Sequence, residues 1–221
     1  MPMGVFLLLA VCWSCTPSRY VRPLAEGETA VTASLGGPML KNFDAPIPVP
    51  NISVAAGYGV REDLTAFGGL NLLSGAFGNI HLDLGVSKSF LRPEGWKPGL
   101  TVTPGVNLVA GLNPNGGFRV WPVLDANAWW EYGQKGHYCY AGLGSWFVLS
   151  GQGPHETVQP QNILPAVQLG NVWSRGKWDY VVEFKWNNFS QVSRDGTVDW
   201  QAVGNRGALG MYVGITKRLG K

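Results

Sequence analysis

A regular alternation of apolar with small or polar side chains limits what this chain can fold into more than any other feature of its sequence. The clearest stretch is 178–187, where the even positions are Trp, Tyr, Val, Phe and Trp and the odd positions are Asp, Val, Glu, Lys and Asn. Residues 100–112 repeat the pattern, with an apolar face opposite a face of mostly Thr, Gly and Asn. Because neighbouring side chains of a β-strand point to opposite faces, this period of two predicts strands. No helical stripe competes with it.

The alternation continues from residue 28 to near the C-terminus, in segments of about ten residues separated by clusters of Gly, Pro, Asn and Asp. It predicts a single all-β domain over 28–221 with about ten strands. Pro104, Pro122 and Pro165 fall inside these strands, and since each removes a donor from the ladder we expect bulges or broken pairing beside them. The predicted strands are 28–38, 51–60, 64–73, 79–91, 99–112, 117–130, 138–149, 163–173, 177–188 and 207–217.

The links between the predicted strands alternate in length. The short links are 61–63, 92–98, 131–137 and 174–176, and the long ones include 40–50, 150–162 and 189–206. This organisation resembles that of small β-barrels of the Gram-negative outer membrane, which have an even number of antiparallel strands, short periplasmic turns and long outer loops. The resemblance implies a closed up-and-down transmembrane barrel with both chain termini on the periplasmic side.

The composition also favours a barrel that faces lipid. Charged residues make up 14% of the chain, against about a quarter of an ordinary soluble protein. A soluble barrel of the lipocalin type needs a charged exterior, and the non-apolar face here is too poor in Lys and Glu to supply one. Outer-membrane lipids are therefore the first expected partner. The aromatic residues near the ends of the apolar stripes resemble the girdles at membrane interfaces, the alternative being that they pack a sandwich core: Phe118, Trp130, Trp178, Tyr180 and Trp186.

The N-terminus carries the signs of an export signal. Residues 4–11 form a small and apolar run that is too short to span a bilayer. The run leads into Ser14 and Cys15, and this resembles a bacterial lipoprotein signal, in which a small residue precedes the lipidated Cys. The resemblance implies a signal peptide over 1–15, a lipid on Cys15 and a periplasmic tether over 16–27. A plain cleaved signal and an uncleaved structural segment are the alternatives. Only Cys139 then lies in the mature body, so no internal disulfide is possible there.

The inward face of the predicted barrel receives charges of both signs. Buried charges must find partners or water. We therefore expect a network of ion pairs and hydrogen bonds that largely plugs the lumen, and the alternative is a hydrated path for small polar solutes. The expected network comprises His81, Asp83, Arg119, Asp125, Glu183 and Lys185, with Asn107, Asn127, Gln168 and Asp179 beside it.

These features predict an outer-membrane barrel that is not an enzyme and has a structural, interaction or narrow-channel role. The alternatives are a small-solute pore and a hydrolase or lipid-modifying enzyme with rim residues, since His81 and Asp83 resemble groups of the ten-stranded outer-membrane proteases. No motif supports a catalytic or metal site or a cofactor. The formal charge of +3 comes from scattered Lys and Arg, which excludes a nucleic-acid footprint. A partner would bind most readily at loops 150–162 and 189–206.

Overall fold

The computed structural model describes residues 16–42, 45–113, 117–133, 135–149, 161–193 and 200–220. Across these residues the chain forms β-strands joined by turns and loops, together with one short helix. The elements are β1 (Thr29–Asn42), β2 (Ala45–Pro48), β3 (Asn51–Arg61), β4 (Leu64–Asn71), α1 (Leu72–Ala76), β5 (Asn79–Leu91), β6 (Gly99–Gly111), β7 (Phe118–Tyr132), β8 (His137–Phe147), β9 (Ile163–Arg175), β10 (Trp178–Val192) and β11 (Arg206–Gly220).

Ten of the strands close into a single antiparallel barrel. From β3 to β11 each strand pairs with the next one along the chain. β1 pairs with β3 on one side and with β11 on the other, where Ala30 stands opposite Arg218 and Pro38 opposite Gly210, and this seam closes the sheet. The predicted closed up-and-down barrel of ten strands is therefore confirmed. β2 lies outside the ring and pairs with the end of β1.

The two ends of the barrel differ in the length of their links. At one end, which we call the turn end, residues 62–63 join β3 to β4 and residues 176–177 join β9 to β10. Gly176 has a φ of 61° in the second of these turns, a conformation that favours glycine. The opposite end, the loop end, carries α1 and the longer links. β1 begins and β11 ends at the turn end, so the chain enters and leaves the barrel on the same side.

The two faces of the barrel wall have opposite character. Along β1, Thr32 and Ser34 point inward and are 8% and 6% exposed, whereas Leu35 points outward and is 47% exposed. The same alternation appears in β3, where Ser53 is buried and Ile52 is exposed. A soluble protein buries its large apolar side chains and exposes its polar ones. This barrel does the reverse, as barrels that stand in lipid do.

The short helix and the prolines within strands do not change the order in which the strands of the barrel pair. α1 is a short turn at the loop end, and Asn71 caps it by accepting a hydrogen bond from the Ser74 amide at 3.2 Å. In the part of the chain that the structure describes, no helix is long and apolar enough to cross a membrane. No register shift occurs at Pro104, Pro122 or Pro165, but the expected break in pairing lies beside each of them. The β5–β6 ladder skips Pro104, the β7–β8 ladder begins only after Pro122, and the β9–β10 ladder stops at Ala166, next to Pro165. A proline removes one N–H donor, whereas a bulge needs an extra residue.

Candidate functional site

The lumen of the barrel holds the start of the described chain, residues 16–24, which we call the N-terminal segment. Its first residue, Thr16, accepts a hydrogen bond from Lys185 Nζ half-way along β10, at 3.3 Å. Its last residue, Leu24, donates its amide to Thr65 Oγ1 near the turn end, at 2.8 Å. The segment therefore runs from the middle of the barrel to the turn end. The assignment of 16–27 as a periplasmic tether stays a prediction; in this structure the polar groups of the segment bind the inward face of the wall.

The chain turns sharply between the segment and β1. The Glu28 amide donates to the Ala25 carbonyl at 2.9 Å, and the Gly27 and Gly59 amides donate across to Gly59 and Glu28 carbonyls at 2.8 and 2.9 Å. A side chain on Gly59 would overlap the Ala25 carbonyl, so glycine is required for this close approach. The turn sends the segment up the lumen while β1 continues in the wall.

Arg19 is the most deeply placed charge of the N-terminal segment, with 6% of its surface exposed. Its Nε donates to Asp83 Oδ2 at 3.0 Å and its Nη2 donates to Ser53 Oγ at 3.0 Å. Its carbonyl accepts from Ser87 Oγ at 3.1 Å. Within the described residues, Nη1 is buried without a hydrogen-bond partner. A buried guanidinium is stable only when it is paired, and Asp83 of β5 supplies that pairing.

Glu183 of β10 is completely buried and has three partners, two hydrogen-bond donors and one cation. The Ser18 amide reaches its two carboxylate oxygens at 3.0 and 3.2 Å, and the Tyr140 hydroxyl donates to Oε2 at 2.7 Å. Lys185 Nζ lies 3.5 Å from Oε1. One buried carboxylate thus joins the N-terminal segment to β8 and β10, and its charge is balanced by Lys185.

Apolar contacts fix the middle of the N-terminal segment. Val21 is 2% exposed and belongs to a buried cluster with Trp129, Tyr138, Tyr140 and Val172. The neighbouring Tyr20 ring packs against Phe67 of β4 with 5.9 Å between the ring centroids, and its hydroxyl donates to the Ala30 carbonyl at 3.3 Å. The segment is therefore held on two opposite walls, by aromatic packing on β7 to β9 and by hydrogen bonds on β1 to β5.

Arg22 marks where the segment reaches the turn end. Its Nη1 donates to the Gly136 carbonyl at 2.9 Å and to Glu131 Oε1 at 3.3 Å, and its guanidinium stands 4.8 Å from the centroid of the Tyr138 ring. Nearly half of the Glu131 side chain is exposed. Because water screens an ion pair at such a position, this contact stabilises less than the buried pair of Arg19 with Asp83.

The structure places most of the expected lumen network inward, and some of its partners lie outside the expected set. His81 Nε2 hydrogen-bonds to Asn107 Oδ1 at 2.9 Å, and Asp83 pairs with Arg19. Arg119 differs from the expectation: it is exposed near the loop end of β7, and within the described residues no hydrogen bond or ion pair joins it to the others. Alternation predicts which face a side chain takes, and it does not predict how far that side chain stands from the barrel's end.

A second group of acceptors stands on the β7 to β9 wall. Gln168 Nε2 donates to Asn127 Oδ1 at 2.9 Å, while Gln168 Oε1 is buried without a partner in the described part of the chain. Asp125 lies beside it: a Cβ on Gly144 would stand 2.5 Å from Asp125 Oδ1 and 3.2 Å from Gln168 Oε1. The missing side chain of Gly144 therefore leaves room for both acceptor oxygens. A small cavity next to Thr16 is bordered by Asp83, Asp125 and Lys185.

The charges outside the wall lie mainly in the turns. Lys88 hydrogen-bonds to Asp63, and this contact, with a smaller contribution from Arg61, lowers the pKa of the Asp63 carboxyl. At the next turn, a hydrogen bond to Glu62 raises the pKa of the Arg92 guanidinium. These pairs are exposed and balance one another, so the turn end of β3 to β5 carries little net charge.

The expected aromatic girdle residues stand outside the lumen. Cys15 lies outside the described residues. Phe118, Trp178 and Tyr180 point outward and are exposed, whereas Trp130 and Trp186 are half-buried, so their role as a girdle stays a prediction. Among the residues the structure describes, no group of three or more His, Cys, Asp or Glu side chains is arranged to hold a metal ion.

Sequence reasoning missed the N-terminal segment as a functional element. Ser18, Arg19 and Arg22 make the main polar contacts with the wall, and none was among the expected lumen residues. The alternation rule is silent there, because the segment between Pro17 and Pro23 is not a strand. The available signal was the excess of acidic side chains on the inward face, together with two arginines just before the first strand.

No protein-family model matches the chain, and no curated protein matches it in sequence. The solved structures that it resembles include the following three. The translocator domain of autotransporter NalP from Neisseria meningitidis has a TM-score of 0.49 and 11% identity over 90% of this chain and 91% of that one. The CymD monoaromatic hydrocarbon channel has a TM-score of 0.37 and 9% identity over 90% of each chain. A bacterial polysaccharide outer membrane secretin has a TM-score of 0.37 and 10% identity over 88% of this chain and 98% of that one. At these values the likeness extends to no function, and the place of this chain among closed antiparallel β-barrels rests on its own strand pairing.

Proposed function

We propose that this protein is an outer-membrane β-barrel whose lumen is closed by its own N-terminal segment. In the closed state its role is structural or lies in interactions of the envelope, and it becomes a narrow channel when the segment leaves. The observation that carries the proposal is the buried pairing of Arg19 with Asp83 at 3.0 Å, inside the lumen. The Ser18 amide on Glu183 and the packing of Val21 support it.

Placement in the outer membrane is supported by the apolar outward face and by closure of the sheet. In hydrocarbon every backbone polar group must be satisfied within the protein, and a closed barrel has no unpaired edge. The test is the mobility of detergent-extracted protein on a gel, with and without boiling. We expect the unboiled sample to migrate differently, because a closed barrel resists unfolding. A protein that stays soluble without detergent and shows no shift would contradict the membrane location.

The closed lumen is tested by conductance in planar bilayers. We expect the wild-type chain to be electrically silent. Val21→Asp places a carboxylate against Trp129 and Tyr138, and since an unpaired buried charge is strongly unfavourable the segment should leave and the barrel should conduct. Val21→Ile is the matched control and should stay silent. Steady conductance of the wild type, or a folded Val21→Asp barrel that never conducts, would contradict the proposal.

A lipid on Cys15 competes with this closed state. The carbonyl of Thr16, the residue after the expected lipidation site, binds Lys185 in the middle of the barrel. We therefore propose that the acylated chain does not dock its segment. The measurement is incorporation of labelled fatty acid into the wild type, Cys12→Ser and Cys15→Ser. Label that is lost only with Cys15→Ser would establish lipidation and contradict permanent closure by the segment. Absence of label from all three would contradict the lipidation.

The hydrolase alternative has no structural observation in its favour. His81 bonds to Asn107, and Asp83 is engaged by Arg19, so the two residues that resemble protease groups are not paired with each other.

A further inference from the structure

The charges that the strands direct into the lumen are unequal. Away from the two ends of the barrel, the acidic side chains of the described wall outnumber the basic ones. Two pairs form within the wall itself, Glu183 with Lys185 at 3.5 Å and Asp179 with Arg218 at 3.3 Å. Asp83 and Asp125 then remain without a basic partner on any described strand. The wall alone therefore carries an excess of negative charge.

The N-terminal segment supplies the missing positive charge. Arg19 neutralises Asp83 from inside the lumen, and Arg22 lies against Glu131 at the turn end. Both arginines belong to the segment and not to the wall. When the segment leaves, its positive charges leave with it, and Asp83 and Ser53 face water as an empty guanidinium site.

One acceptor near Asp125 is unsatisfied even with the segment in place. Gln168 is completely buried and its Oε1 has no hydrogen-bond partner among the described residues. A side chain on Gly144 would meet both this oxygen and Asp125 Oδ1, at 3.2 and 2.5 Å from its Cβ. Asp125 borders the same cavity as Asp83. An acceptor pair that includes a carboxylate is suited to a donor that carries positive charge.

Given that the segment closes the lumen as proposed above, we propose that the lumen wall is a binding site for cationic solutes that carry a guanidinium or ammonium group. Arg19 occupies this site as an internal ligand in the closed barrel. Asp83 and Ser53 bind the donors of the incoming group, and Asp125 with Gln168 provides a second contact across the cavity. A channel lined in this way passes cations in preference to anions, as acidic rings do in cation channels.

Ion selectivity tests the proposal directly. The full-length Arg19→Ala/Arg22→Ala variant, which lacks both ion pairs between segment and wall, is placed in a planar bilayer under a KCl gradient and its reversal potential is measured. We expect K⁺ to be favoured over Cl⁻ by about tenfold, because an acidic cleft concentrates cations. Adding Asp83→Asn should bring the ratio towards one, whereas adding Asp63→Asn, at an exposed turn, should not. A preference for Cl⁻, or a ratio that ignores Asp83→Asn, would overturn the proposal.

Binding is also measured without conduction, so that failure of the channel and failure of the site are separable. In the Arg19→Ala variant, millimolar guanidinium chloride should raise the temperature at which the folded band disappears on a gel. Urea, its neutral counterpart, and NaCl at equal ionic strength should not, and Arg19→Ala/Asp83→Asn should not respond to guanidinium. This pattern in a silent barrel would support the site and contradict the channel. Equal responses to guanidinium, urea and NaCl would refute the site.

Discussion

Along β10, the side chains that face the lumen and those that face outward obey opposite rules. Glu183 is completely buried, while its neighbour Phe184 is 49% exposed. Glu183 has a partner for each of its polar atoms, from the N-terminal segment, β8 and Lys185. The Phe184 side chain has no polar atom to satisfy, and in the proposed location lipid covers it. One strand thus contacts two environments, so mutations on its two faces should destabilise the barrel for different physical reasons.

The inward face should respond most strongly. Glu183→Ala leaves Lys185 and the Tyr140 hydroxyl buried without their acceptor, and breaking a buried pair costs about 3–5 kcal/mol of unfolding free energy. Urea titration of the barrel in lipid vesicles measures the loss. Glu183→Gln, which keeps an acceptor oxygen, is the control and should lose less. Equal losses for the two variants would mean that the charge of Glu183 accounts for the whole effect and that the acceptor oxygen kept by Glu183→Gln contributes nothing.

The outward face should come next. Phe184→Lys puts a charge on the lipid side of β10, at a cost of about 2–4 kcal/mol if the residue stands near the bilayer midplane. Phe184→Leu keeps the face apolar and should cost less than about 1.5 kcal/mol. The same vesicle titration compares them. If Phe184→Lys leaves the unfolding free energy unchanged, the outward face of β10 does not contact hydrocarbon.

The packing of the N-terminal segment inside the lumen should have a smaller effect. Val21→Ala removes two buried carbon atoms from the cluster around Trp129 and should cost about 1.5 kcal/mol. Trp129 packs against this residue and is one of ten tryptophans, so its emission is taken as the difference between spectra with and without Trp129→Phe. This difference should report a wetter environment in Val21→Ala. Val54→Ala, on the outward face of β3, is the control, and it should leave the emission unchanged. If both variants alter the emission alike, Val21 does not pack against Trp129 inside the barrel.

The smallest effect on stability is expected in the turns, which lie outside both faces of the wall. Lys88 lowers the pKa of Asp63 in the folded chain, so the pair stabilises the fold at pH values above about 4 and loses its effect as pH falls through the lowered pKa. Wild type and Asp63→Asn should therefore differ slightly in urea midpoint near about pH 6 and not near about pH 2. A difference that grows towards acid pH would contradict the sign of the pKa change.

Much of the wall is predictable from the sequence, and the contents of the lumen are not. The alternation in 178–187 and 100–112 is a local consequence of strand geometry, so it identifies β10, β6 and their neighbours without knowledge of the rest. β2 and α1 are too short to show a period. The position of Arg19 depends on Asp83, which is far away in the chain, and only the closed barrel brings the two together.

The partners of the lumen network residues are also not predictable from the sequence pattern. Alternation correctly turns Glu183 and Lys185 to one face, yet the ligands of Glu183 include the amide of Ser18, which no pattern of side chains encodes. Arg119 shares the parity of Asp125 and still lies exposed, because it stands near the end of its strand. Partners inside a barrel depend on height as well as on face, and height follows from the register between strands.

The sharp turn between the N-terminal segment and β1 has a consequence for assembly. β1 forms the seam with β11, so the strand whose pairing completes the ring is the one that carries the segment. The segment contributes no rung to the sheet and enters from the turn end, so it can withdraw through that end while all ten strands remain paired. Completion of the ring and filling of its interior are thus separate events, and a nascent barrel can close around water before the segment displaces it.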